Sequence, residues 1–143
     1  MTYLNLPTTY ASVHTARHWA APLLPADVRE AAVLVLSELV TNAVAADAYV
    51  EAPDTIGVEV VVDTSGRVAL YVTDSNDRPI PPAPADVPAD DESGRGLLLL
   101  DALADAHGWA PRTCGGKCVW ALFRREGAVA EEPGSHHCLQ TCA

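Results

Sequence analysis

Residues 26–47, ADVREAAVLVLSELVTNAVAAD, carry the reading on which the rest of the chain depends. Val28, Ala32, Val35, Leu36, Leu39, Val40 and Ala43 recur at intervals of three and four. That spacing predicts a helix over 26–47 with an apolar stripe laid against a core. Pro25 suits the start of a helix, where a missing N–H does no harm, and Asp27 places an acid at the positive end of the helix dipole. Glu38 and Asn42 lie four residues apart on this helix and so stack one above the other. A carboxylate and an amide placed this way can act together. The amide oxygen ligates Mg²⁺, and the carboxylate orients or deprotonates a nucleophile. Taken alone, such spacing is common on helices and fits the solvated side of an amphipathic helix better.

Working outward, residues 10–21 have the apolar spacing of a short helix, with Thr9 or Ser12 as its cap, and Pro22 and Pro25 punctuate the chain after it. On the other side, IGVEVVVD (56–63) and RVALYVTD (67–74) read as strands joined by a turn at Thr64-Ser65-Gly66, an antiparallel hairpin. Asp74 closes the second strand, where its carboxylate can accept a hydrogen bond from an exocyclic amine such as adenine N6, or simply form a turn. From Ser75 to Glu92 the chain holds Pro79, Pro81, Pro82, Pro84 and Pro88, which predicts a long irregular loop of the kind that is functional or mobile. Ser93-Gly94-Arg95-Gly96 then precedes the helical run LLLLDALADA; its exposed N–H groups and the helix dipole form a phosphate cradle, or plain turn chemistry. Residues 107–111 and 117–124 close the fold as a hairpin around Gly115-Gly116. The elements predict an α+β, two-layer sandwich with helices on one face of a mostly antiparallel sheet, spanning residues 1–125. Residues 126–143 read as a flexible tail.

The formal charge of −10 argues against a nucleic-acid or anionic-membrane partner, which would repel the chain. It leaves a nucleotide ligand open, since backbone N–H groups and a cation can hold phosphates. The first residues lack a basic, then apolar, secretory leader, and the apolar runs fall short of the ~20 residues that cross a bilayer, so the expected place is the cytoplasm. Four cysteines come as two pairs, Cys114/Cys118 and Cys138/Cys142, with His136 and His137 beside the second. Zinc ligation fits their chemistry; core and tail thiols in a reducing compartment are the simpler expectation.

Taken in order, these features resemble the GHKL (Bergerat-fold) ATPases, in particular the branch of anti-sigma-factor serine/threonine kinases. Glu38-Leu39-Val40-Thr41-Asn42-Ala43 is similar to the family's N-box, and Val72-Thr73-Asp74 to the start of its G1 box. Gly94-Arg95-Gly96-Leu97 is similar to its G2 box, and Gly116-Lys117-Cys118-Val119-Trp120 to its closing strand. The resemblance covers roughly residues 10–124 and implies the Bergerat fold with ATP and Mg²⁺ as cofactors. It implies that Glu38 is the catalytic carboxylate, that Asn42 ligates Mg²⁺ and that Asp74 reads adenine. Gly94, Arg95, Gly96 and Leu97 would then line the phosphates beneath the proline-rich lid. It also implies a sigma factor and a small STAS-type antagonist as partners, and a homodimer. Two departures stand out. Ser75-Asn76-Asp77-Arg78-Pro79 replaces the glycines that usually continue the G1 box, and Ala45, Ala46 and Asp47 stand where the family commonly has a basic residue and a histidine. Both a kinase and a nucleotide-gated binding module without transfer activity are compatible with this pattern.

Overall fold

The computed structural model describes residues 2–51, 53, 55–80 and 92–124, with the backbone alone for residues 92–95 and 97. Five strands form one sheet: β1 (Thr2–Leu6), β2 (Ile56–Val62), β3 (Val68–Asp74), β4 (Ala106–Pro111) and β5 (Lys117–Phe123). Their order is β1-β2-β3-β5-β4 with every neighbouring pair antiparallel. Helices α1 (Ala11–Ala20), α2 (Arg29–Asp47) and α3 (Glu92–Leu103) pack on one face, which is the expected α+β sandwich.

The apolar stripe of α2 decides the packing. Ala32, Val35, Leu36, Leu39, Val40 and Ala43 are all buried against Ile56, Val58 and Val60 of β2 and Val68, Leu70 and Val72 of β3. Alternation along the strands produces the match, because every second side chain points to the same face. The helix starts at Arg29 rather than near residue 26. Residues 26–28 form a turn, and Arg29 ties the start of the helix to the segment before it by donating from Nε to Ala21 O (2.9 Å) and from Nη2 to Leu24 O (2.9 Å). The first residue before α1 is Tyr10, with no side-chain cap; Ser12 instead donates to Pro7 O (2.6 Å) and pins the β1–α1 connection. The β2–β3 turn is built by Asp63, which accepts from Ser65 N (2.9 Å), Ser65 Oγ (2.7 Å) and Arg67 N (2.9 Å). The Ser65 hydroxyl and Arg67 hold that carboxyl well below the usual carboxylate range.

Three readings are corrected here. Strand β1 has no counterpart among the expected elements; it pairs along its whole length with β2. Helix α3 begins at Glu92, so Gly94 and Gly96 lie within its first turns rather than ahead of it. Cys114 and Cys118 are disulfide-bonded and are not the free thiols expected of a reducing compartment. The proline-rich stretch 81–91 and the segment 126–143 lie outside the described residues. No helix among those described is long and apolar enough to cross a membrane.

Candidate functional site

Helix α2 connects the two ends of the site. Near its middle, half-buried Glu38 lies against the first turns of α3. A Cβ added to Gly96 would collide with Glu38 Oε1 and stand 3.2 Å from its Cδ. Glycine in a helix interior costs about 1 kcal/mol relative to alanine; at 96 it lets the α3 backbone approach the carboxylate. Asn42 follows one turn later and is exposed, its amide open to a ligand. The C-terminal end of α2 meets the end of β3. There Asn76 Nδ2 donates to Ala46 O (2.7 Å), and Asp47 Oδ1 accepts from Ser75 N (2.9 Å). From Glu38 to Asp47 the helix runs about 14 Å.

At this second end stands a buried cluster of charge. Asp74 is 2% exposed, and its Oδ1 accepts from Lys117 Nζ (3.1 Å) and from Asn76 N (2.9 Å). Lys117, itself buried, also donates to Asn76 O (3.1 Å). Antiparallel register sets Asp74 opposite Lys117, the last pair of the β3–β5 ladder. Asp47 is equally buried, and its Oδ2 has no hydrogen-bond partner among the described residues. The Lys117 ammonium thus contacts Asp74 directly and acts on Asp47 through its charge. Burial pushes the Asp74 carboxyl up from its ordinary value, Lys117 offsets part of that rise, and the charge of Asp47 adds to it. Burial pushes Asp47 up as well, against the pull of the Ser75 N–H and of Lys117.

The loop after β3 takes its shape from the residues that stand in place of the G1 glycines. Asn76 Oδ1 accepts from Arg78 N (2.8 Å), and Asp77 Oδ1 accepts from Gly116 N (2.6 Å). Gly116 has φ +78° and sits so close to Asp74 O that a Cβ there would collide with it. Only glycine combines that conformation with that approach.

The histidine kinase-like ATPase domain model matches residues 6–123. The chain belongs to that family. No curated protein matches it in sequence. ATP, commonly with Mg²⁺, is the ligand that a histidine kinase-like ATPase domain implies, and the residues described here fit such a ligand. The first four N–H groups of a helix have no partner within it; those opening α3 lie beside Gly96, where a Cβ would meet Glu38. Asn42, exposed on α2, carries an amide oxygen of the kind that ligates a cation; Asp74 is buried, its Oδ1 held by Lys117 Nζ and Asn76 N.

In this ATPase domain Glu38 of α2 meets Gly96 of α3, Asn42 lies one turn farther along α2, and Asp74 stands near the C-terminal end of α2. Gly94 lies in the first turn of α3; the side chains of Arg95 and Leu97 are outside the described residues. The sequence reading missed Asp47, Asn76 and Lys117 as members of the site. Lys117 comes opposite Asp74 only through the register of β3 with β5, two strands separated in sequence by α3 and β4; Asp47 continues the buried stripe of α2 beyond Val40 and Ala43, and the packing of β3 brings it to Ser75.

Proposed function

We propose that this ATPase domain is an anti-sigma-type serine/threonine protein kinase. It would hold a sigma factor and phosphorylate a serine hydroxyl on a small STAS-type antagonist, working as a homodimer. The observation that carries the reading is the placement along α2: a carboxylate against α3 near its middle, an exposed amide one turn on, and the buried Asp74 beside its C-terminal end. Bound ATP supplies the phosphoryl group. Glu38 would orient the attacking hydroxyl and accept its proton, Asn42 would hold the metal, and the N–H groups opening α3 would neutralise charge on the phosphates. Catalysis of this kind is mostly positioning and electrostatic stabilisation.

A second reading is a nucleotide-gated binding module without transfer, in which ATP biases which partner is held. The inward turn of Asp47 favours it: where the family commonly has a basic residue and a histidine, this chain spends the position on a contact with Ser75 N. Calorimetric titration with Mg-ATP, run beside Asp74→Asn and Glu38→Gln, separates the two. The kinase reading expects Asp74→Asn to weaken binding at least tenfold, about 1.4 kcal/mol. It expects Glu38→Gln to bind ATP normally while losing phosphate transfer to an antagonist. Normal transfer by Glu38→Gln would sink the catalytic assignment. No binding by the wild-type protein at millimolar nucleotide would sink both readings.

A further inference from the structure

Helix α1 divides its residues between two faces. Ser12, Ala16 and Ala20 are buried, and Val13 and Trp19 pack partly buried against the core. His14, Arg17 and His18 face outward and are exposed. The helical period produces this division, because it returns every third or fourth side chain to the same side. The helix is tied down at both ends. Ser12 Oγ donates to Pro7 O (2.6 Å) ahead of it, and Arg29 Nε donates to Ala21 O (2.9 Å) behind it.

His14 and His18 lie four residues apart, so one ring stands a turn above the other. Their centroids are 4.2 Å apart, with the ring planes tilted by 57°. Neither ring makes a hydrogen bond or ion pair with a described residue, whereas His107 of β4 is held by Asp101. A neutral imidazole keeps one nitrogen lone pair for a metal. Rotation about χ2, a soft torsion in histidine, turns one nitrogen of each ring toward a shared ion. Two ligands on one fixed turn form a chelate: once the first imidazole binds, the second is already present at a high effective concentration.

The surroundings select the ion. Residues 1–26 contain no Asp or Glu, so α1 lacks the carboxylate oxygens that Mg²⁺ and Ca²⁺ prefer. Imidazole nitrogen suits Zn²⁺, Ni²⁺ and Cu²⁺. Among the described residues no group of three or more His, Cys, Asp or Glu is placed to hold an ion. The pair is therefore a two-ligand site whose remaining positions are open to water, unlike a closed structural zinc site.

We propose that His14 and His18 form a surface site on α1 for one exchangeable transition-metal ion of the zinc, nickel and copper class, bound through one nitrogen of each ring. This goes beyond the nucleotide reading and does not depend on it, since the Mg²⁺ of that reading is assigned to Asn42 on α2. It also uses none of the cysteines.

The test is calorimetric titration of the full chain, made without an affinity tag, with Zn²⁺ and with Ni²⁺ in excess Mg²⁺. The expected result is one ion per chain, undisturbed by Mg²⁺. His14→Ala and His18→Ala should each weaken binding by about tenfold or more, with an unchanged circular dichroism spectrum because both positions are exposed. Thr15→His/His18→Ala keeps two imidazoles but sets them at positions 14 and 15, which do not face each other; it should bind no better than His18→Ala. His136→Ala/His137→Ala removes the adjacent histidines near the end of the sequence and should bind as the wild type does. No binding at millimolar Zn²⁺ or Ni²⁺, displacement by Mg²⁺, or one ion shared by two chains would overturn the proposal. So would wild-type affinity in His14→Ala, His18→Ala or the displaced pair, or loss of binding in His136→Ala/His137→Ala.

Discussion

Replacing Asp47 by asparagine keeps the oxygen that accepts the Ser75 N–H and removes a carboxylate that burial disfavours. Its folded-state value is raised above the ordinary 3.8, so the stability it contributes is complete below that pH and is lost as pH rises through the folded value. The expectation is that Asp47→Asn is at least as stable as the wild type at pH 7 and shows a shallower fall in stability from pH 4 upward. The slope persists in part, because Asp74 is raised in the same direction. Urea denaturation across that range checks it; an unchanged slope with lower stability at pH 7 would refute the assignment. Gly116→Ala meets both a positive φ and the Asp74 carbonyl, and is expected to lose more than about 1 kcal/mol in the same measurement while weakening nucleotide binding. Much of the candidate site was legible at this scale. Glu38, Asn42, Asp74 and Gly96 carry a spacing or a strand end that marks them. Asp47 and Asn76 act through packing between α2 and the β3 loop, two segments about thirty residues apart, and no local pattern encodes that contact.

Among the elements, α2 is both the main contributor to the core and the support of the site. Leu36 is wholly buried within its stripe. Leu36→Ala is expected to cost about 2–5 kcal/mol, read as a lower denaturation midpoint with an unchanged slope against denaturant. Because Leu36 lies on the core face while Glu38 and Asn42 do not, the folded fraction should still bind nucleotide with nearly wild-type affinity. The helix and both hairpins were readable because their periodicities of three to four and of two extend over many residues. β1 was not: Thr2–Leu6 is short, its partner lies some fifty residues away, and its edge position leaves only Leu6 deeply buried. The start of α3 misled because two glycines argue locally for a turn, whereas the contact with Glu38 that favours glycine inside the helix is made by another element.

Across the whole molecule, strand order separates what forms locally from what forms at a distance. β2–β3 and β4–β5 are hairpins, but β3 and β5 join only after the chain between them has been closed. The Asp74–Lys117 bond that shapes one end of the site spans 43 residues. Loop-closure entropy must be met before such a contact contributes, so the hairpins and α2 are expected to organise first and this seam last. A ligand gripping both sides of the seam would then find nothing to hold in the folding transition state. Mg-ATP at a hundred times its dissociation constant should add about 2.7 kcal/mol to stability, and stopped-flow kinetics should show nearly all of it as slower unfolding, with the refolding rate unchanged. Nucleotide would thereby govern how long the finished molecule lasts, and leave untouched how quickly it is made.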